Sequence, residues 1–598
     1  MKRVPDRIIL NGSPIETRKL LRRGPESAAS LESGIRGLIS RLNMGRDFGQ
    51  ETADEWKRCL GLLLSGGSKA LMNPYADIAD FSVEPISRKS KHLDDTPLIR
   101  QLAPFADPGG GSAGTGSPGP KERMLLVLAV GGSDTTFYGG MDGEEIAEFV
   151  RDFIPAGFLE CLDPSDMQRG IPRAFASKKC EDGRTFTLLE SLMAQAYAAG
   201  IRHVAVLSNP SLAPAITAYL AKRFAGFPGF KWRVTVQPLL PVIVEGPDSG
   251  CWTISDQNPG YPGGHGHGFK HTLMDTTVRE WIREDGLETF LFSNGDNAAL
   301  FNRGAGHFEE TIEAMRSLKS NGTAPGLRTA FFMVWERFRK GGFAFFLRGE
   351  KSGRTLPQVI EAELALESGV DMDGLNLSSG AYNTNVAVGF LAEAYAHTGR
   401  LPLTLKHKKI RGSEHWMFEA SFATSMSTSQ DETGVSHFDA GSSMAVLAPN
   451  EAVHPHWIHL SLRNRSEWLA YRSTIFKPAI LRAGGGEFLL ARCGRDASIP
   501  LPKLEGDVLN TGTKEFFDIF KDSAFDMDSF TGALRIDFPE GEGGRRGSVR
   551  FEGAVRFTGG GCVAFRIPPG ESWTVRDVTI HSPAEITRAG DPGVTSNT

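Results

Sequence analysis

The chain has 598 residues, with 66 Lys or Arg against 71 Asp or Glu, a formal charge of −5. So mild an acidic balance carries no global nucleic-acid footprint, and 40% hydrophobic with 23% charged residues excludes disorder of the chain as a whole. At roughly 150 residues per domain the length predicts about four domains, fewer if one α/β domain is large.

Residues 1–104 read as a polar, helical N-terminal region, with apolar residues at helical spacing over 30–42 and 51–64. Gly, Ser and Pro dominate 105–122, which reads as a flexible linker. Over 123–484 apolar runs at 124–130, 203–208, 232–237 and 288–293 alternate with helical patterns at 187–200, 213–226 and 270–284. Strand and helix in alternation predict an α/β domain on a mixed, mostly parallel sheet, with ligands at the carboxyl ends of its strands. Residues 485–590 hold short β-rich pieces between Gly, Pro and Asp turns, a solenoid or sandwich, and 591–598 read as a tail. The six cysteines form no C-x-x-C pair, which favours a reducing compartment. The N-terminus lacks a signal-peptide pattern and the apolar runs are too short for a membrane span, so a cytoplasmic protein without membrane or nucleic-acid partners is expected.

Four clusters carry chemistry. The loop after the first strand of the α/β domain holds Gly131, Gly132, Ser133, Asp134 and Thr135, where glycine amides can approach phosphate oxygens; a plain turn is the alternative. Arg173 follows in Gly-Ile-Pro-Arg, either a phosphate-holding cation or a surface arginine. His265, His267 and His271 sit among glycines before a helix expected from about Lys270. They suit metal ligation, a loop wrapped around a base, or a purely structural loop. Ser293, Asn294, Gly295, Asp296 and Asn297 end a strand, where a carboxylate can hold Mg²⁺ between phosphates or simply close an Asx turn.

In this order the clusters resemble the UDP-sugar pyrophosphorylase family, nearest to its UTP–glucose-1-phosphate uridylyltransferases. The family's L-x-G-G-x-G-T-x-x-G loop is matched from Leu128 to Gly139, its lysine by Arg173, and its F-x-Q-x-x-x-P by Gln237 with Pro241. P-G-H-G-D is matched by Gly263 to Gly268, S-N-x-D-N by Ser293 to Asn297, V-E-x-x-E by 359–363, F-N-T-N by Tyr382 to Asn385, and L-E-T-A over 418–422. The resemblance covers roughly 124–425, and the β-rich tail is similar to the family's β-helical C-terminal domain.

The resemblance implies a GT-A-like nucleotidyltransferase that joins UTP to a sugar 1-phosphate, releases pyrophosphate and uses Mg²⁺. By carry-over, Gly131, Gly132 and Thr135 would cradle the nucleotide, and Gln237 and Gly266 would read uracil. Arg173, His265 and Asp296 would serve the phosphates, with Asp296 the metal ligand. Asn294, Glu361 and Asn383 would bind sugar hydroxyls, and the C-terminal domain could support oligomerisation. The sequence departs from the pattern at Ser133 and Asp134, at His267 where the family has an acid, and in the displacement of Arg173 by an insertion over about 141–169. No counterpart of a later family lysine is found; Lys477 is a poor match. These departures leave open a catalytically inactive nucleotide-sugar-binding relative, and the histidines leave open a metal-dependent hydrolase.

Overall fold

The computed structural model describes residues 123–130, 137–138, 141–180, 182–240, 242–245, 251–254, 260–302, 304–336, 342–349, 355–361, 380–398, 404–410, 413–430, 436–439, 441–448, 458–462, 465–495, 499–591 and 593–596. Before residue 123 it describes 7–10, 13–16, 40, 43, 52, 54, 81–88, 90, 93 and 95–102.

The large sheet is built from β1 (Phe81–Pro85), β2 (Ile99–Gln101), β3 (Met124–Ala129), β4 (His203–Ser208), β5 (Lys231–Val236), β6 (Thr289–Asn294), β7 (Thr329–Glu336), β8 (Gly342–Gly349), β9 (Thr355–Glu361), β10 (Gly380–Phe390) and β11 (Ser443–Leu447). Its main path runs β2-β11-β7-β10-β6-β3-β4-β5, with β8 joining β1, β9 and β10 at one side. Along that path every neighbouring pair is parallel except the two that β10 makes with β6 and β7. Along that path the sheet is therefore mixed and mostly parallel, as the alternation of strand and helix predicts, while the pairings of β8 are antiparallel.

β4 is buried at every position and β3 at all but its last, because helices cover both faces. Alternate side chains enter opposite layers. Leu126, Leu128, Val204, Val206 and Leu291 join one core; Leu125, Val127, Ala205, Leu207, Phe290 and Phe292 join the other. The helices that matter below are α1 (Gly143–Phe153), α2 (Leu188–Ala198), α3 (Ala213–Phe224), α4 (Gly264–Met274), α5 (Thr276–Glu284), α6 (Gly306–Ser320), α7 (Phe422–Ser427), α8 (Arg465–Arg472) and α9 (Thr513–Phe520). Asp142 and Glu145 start α1 with a reciprocal capping box.

Three expectations are redrawn. The first 104 residues contribute strands to sheets. Arg7–Leu10 pairs with Cys251–Ile254, β1 with β8, and β2 with β11. Among the described residues there, Ser40, Thr52 and Asp54 are helical; the rest of the helices expected over 30–42 and 51–64, and the linker 105–122, lie outside the described residues. The segment expected as one helix over 270–284 is two, α4 and α5, and α4 begins at Gly264, because Asp275 caps a new helix with its carboxylate. The β-rich pieces after residue 485 begin with a hairpin of Phe476–Ala483 and Gly486–Cys493 that packs on α2, where Ala491 exchanges hydrogen bonds with Ser191 and Gln195.

From Lys503 the chain alternates between two sheets. Lys503–Glu505, Ala533–Asp537, Cys562–Arg566 and Ala584–Ile586 form one, all parallel. Asp522–Asp526, Ser548–Thr558 and Ser572–His581 form the other, closed by antiparallel Val594–Ser596. Phe525, Phe551, Phe557, Phe565 and Trp573 fill the space between, continuous with the core of the α/β part. No helix among the described residues is long and apolar enough to cross a membrane.

Candidate functional site

β3 and β6 are neighbours in parallel register, with Ala129 opposite Asn294, so the segments that follow them leave the sheet at the same edge. The amide of Gly295 donates to the Ala129 carbonyl at 2.9 Å. Gly131, Gly132, Thr135 and Asp134 lie outside the described residues, but both flanks of their loop, Val130 and Phe137, are in place at this edge.

Arg173 arrives there from beyond the insertion. The insertion folds as α1 and two short helices, Ala156–Leu159 and Pro164–Arg169. Its two ends meet at Tyr138, whose hydroxyl donates to the Ile171 carbonyl at 2.6 Å and accepts from the Ile171 amide at 3.1 Å. Gly170 sits at φ 92°, and a Cβ there would fall 2.6 Å from the Tyr138 ring. This clamp feeds Arg173 into a 3₁₀ turn, Arg173–Phe175, pointing at the ends of β3 and β6.

Arg173 Nη2 lies 3.1 Å from Asp296 Oδ2, and both residues are under a tenth exposed (5% and 8%). The Ser461 hydroxyl approaches the same carboxylate oxygen at 3.3 Å. The guanidinium stands 5.4 Å from the Phe137 ring centroid, a cation–π contact. An arginine and a carboxylate taken out of water hold each other's charge, and a planar guanidinium suits phosphate oxygens.

A second group lies beside the first. His265 is the second residue of α4, and its Nδ1 lies 3.1 Å from Asn385 Nδ2, so the amide donates and the ring nitrogen accepts. Asn385 Nδ2 is also 3.5 Å from Asn294 Oδ1, and the Asn385 amide donates to Asn383 Oδ1 at 3.1 Å. His265, Asn294 and Asn383, singled out on three separate segments, thus converge through Asn385. That residue has φ 60° and, with Thr384, lies inside the register shift between β7 and β10, where Met333 pairs with Asn383 and Phe332 with Val386. The motif Tyr382 to Asn385 contained it, but a left-handed backbone that turns one amide toward two neighbours has no signature in sequence.

Gln237 is buried and donates from Nε2 to the Gly264 carbonyl at 2.7 Å, fixing the start of α4. Gly266 packs on α7: its amide donates to Ala420, and a Cβ would fall 2.1 Å from Ser425 Oγ and 2.8 Å from the Ser421 carbonyl. Glu361 ends β9 opposite Gly342, and β8 meets β10 at Tyr382, next to Asn383. His267 and His271 face each other with Nε2 atoms 3.3 Å apart, but His265 turns to Asn385 instead. Among the described residues no group of three or more His, Cys, Asp and Glu side chains is placed to hold a metal ion. Sequence reasoning passed over Lys178, which is fully buried and donates to the Tyr471 and Ser473 carbonyls at the end of α8. Burial, with Arg472 nearby, pushes its ammonium down to about 7.

No protein-family model matches this sequence, and no curated protein matches it. Solved structures do. A UDP-glucose phosphorylase from Trypanosoma brucei superposes with a TM-score of 0.53 over 89% of this chain and 96% of its own, at 14% identity. A variant of the Leishmania major UDP-glucose pyrophosphorylase, in complex with UDP-glucose, gives 0.55 over 94% and 100%, also at 14% identity. A second Leishmania major variant bound to UDP-glucose gives 0.52 over 88% and 96%, at 15% identity. The chain has the fold of UDP-glucose pyrophosphorylases. The family resemblance drawn from the motifs is thus met at the level of architecture, over most of the chain.

Proposed function

We propose that the chain is a uridylyltransferase that makes a UDP-sugar, UDP-glucose in the first instance, from UTP and a sugar 1-phosphate. One observation carries the reading: Arg173 and Asp296, widely separated in sequence, meet at the carboxyl ends of two adjacent parallel strands on a UDP-glucose pyrophosphorylase fold. In this reading the α/β part is GT-A-like and the alternating two-sheet part is a β-helix.

A phosphate oxygen of the sugar 1-phosphate attacks the α-phosphorus of UTP, the α–β bridge breaks, and pyrophosphate leaves with that bond's electron pair. The nucleophile is already anionic, so the site must supply alignment and neutralisation rather than a base. Arg173 takes the phosphate charge, with Gly131, Gly132 and Thr135 around the nucleotide. Gln237 presents its amide oxygen to uracil while its nitrogen holds Gly264, and Gly266 lets α4 sit close on α7. His265 faces the phosphates; Asn294, Asn383 and Glu361 take the sugar hydroxyls.

A magnesium ion fits this donor set through Asp296, because that ion is typically held by one or two carboxylates together with substrate phosphates. When bound, it supplies further neutralisation of phosphate oxygens. A cytoplasmic location is part of the proposal, on the cysteine spacing of the sequence.

Pyrophosphate release measured with UTP and a panel of sugar 1-phosphates tests the proposal. Turnover with UTP and glucose 1-phosphate is expected; folded protein inactive with every pair overturns it. The mutual pairing of Arg173 and Asp296 favours one second reading, a nucleotide-sugar binder without turnover. Calorimetry that detects UDP-glucose binding by an inactive protein would select it.

A further inference from the structure

We propose that Phe137 is a positioning residue, through which the C-terminal helix α9 sets where Arg173 points; this rests on the reading of Arg173 as the phosphate-binding cation. Phe137 closes the glycine-rich loop, and its ring carries the Arg173 guanidinium on one side. The same ring packs at 5.6–6.0 Å against Phe153 and Phe149 of α1, inside the insertion. Phe149 in turn meets Phe517 of α9 edge-on at 4.8 Å.

A second link is direct. The hydroxyl of Thr513, the first residue of α9, donates to the Phe137 carbonyl. Two ion pairs of 3.1 Å, Lys514 with Glu148 and Lys521 with Asp152, flank the aromatic wedge and hold α9 on α1. Phe137 is therefore gripped at its backbone by the C-terminal part and at its ring by the insertion, and Arg173 rests on it.

A guanidinium reads phosphate through a planar fork, so its orientation matters as much as its charge. Asp296 holds one end of the fork, and the Phe137 ring limits where the rest of it can swing. Tilting α9 drags the carbonyl and the ring together, and the guanidinium shifts with them. The insertion and α9 form the seat, although neither supplies a group that touches phosphate.

The test uses the full chain and two readouts. The first is steady-state kinetics. Phe137→Leu is expected to lower kcat/KM for UTP about tenfold, leave KM for the sugar 1-phosphate unchanged, and be rescued by Phe137→Tyr. Thr513→Val, which deletes only a hydroxyl, should lower the same parameter about threefold. In an Arg173→Lys background Phe137→Leu should cost nothing further; an equal additional loss there, or unchanged kinetics in both single variants, overturns the proposal.

The second readout needs no turnover. Hydrogen exchange in the 170–176 segment should speed up in Thr513→Val, and unchanged exchange overturns the proposal even if Phe137→Leu fails to fold. An inactive wild type with exchange coupled as expected would sink the functional reading and leave the coupling standing.

Discussion

Arg173 and Asp296 face each other as an ion pair in a nearly dry setting. Arg173→Ala takes a positive charge away from a buried carboxylate. Removing one partner of such a pair typically costs about 3–5 kcal/mol, so urea unfolding should show a loss of that order. Kinetics of the same variant should show kcat/KM for UTP down by about a hundredfold or more, by analogy with the loss of one preorganised donor. Arg173→Lys should recover most of the stability and little of the rate, because a lysine restores the charge but not the planar fork. Arg173, Asp296, His265, Asn294 and Asn383 were legible as residues because each stands in a motif of unusual composition. That Arg173 and Asp296 form one pair, and that Asn385 ties the others together, was not. Those facts depend on where a clamp at Tyr138 and a left-handed residue aim the side chains, and spacing along the chain does not encode direction.

The clearest lesson among the elements concerns α4. Gly263 to Gly268 reads as a loop, since glycine is about 1 kcal/mol worse than alanine in a helix. The structure makes it the first turn of a helix, because only glycine lets that turn approach α7 so closely. Gly266→Ala should therefore destabilise the protein by about 1–3 kcal/mol despite its better helix propensity, measurable as a lower thermal midpoint. Strands 124–129, 203–208, 231–236 and 289–294 were legible almost to the residue because continuous apolar runs bounded by turn residues have few other readings. Strands before residue 104 were not, since strands of three to five residues take their place only when distant partners are present.

Lys178 shows what a helix end can demand. It satisfies two carbonyls at the end of α8, while burial pushes its pKa down to about 7. The unfolded chain keeps that proton to about pH 10.4, so between the two values the unfolded state binds more protons. Stability should accordingly rise with pH above about 7, by about 1.4 kcal/mol per unit from this group, and level off near 10.4; it is lost as pH falls toward 7. Urea midpoints across pH 7–9 should show this rise in the wild type and a flatter profile in Lys178→Met.

At the level of the whole molecule, the α/β part and the alternating two-sheet part share one apolar core, running from Phe149 and Phe153 through Phe517 to Phe551. Calorimetry should show one cooperative transition for the two together, and a chain ending at Gly494 should be insoluble, since α1 would lose its cover. The mostly parallel sheet and a separate β-rich part were legible from the change of rhythm near residue 485. Their fusion into one core was not, because Phe516, Phe517 and Phe520 read equally well as an isolated amphipathic turn.

The insertion leaves the sheet edge at Tyr138 and returns to it at Ile171, bound to a single hydroxyl. A detour closed at its neck can lengthen, shorten or change composition away from Phe149 and Phe153 while the cation beyond it stays put. Drift of that kind erases the spacing by which sequences are aligned and spares the spatial order on which binding depends, so kinship in such a lineage survives longest in the place where the chain re-enters the sheet.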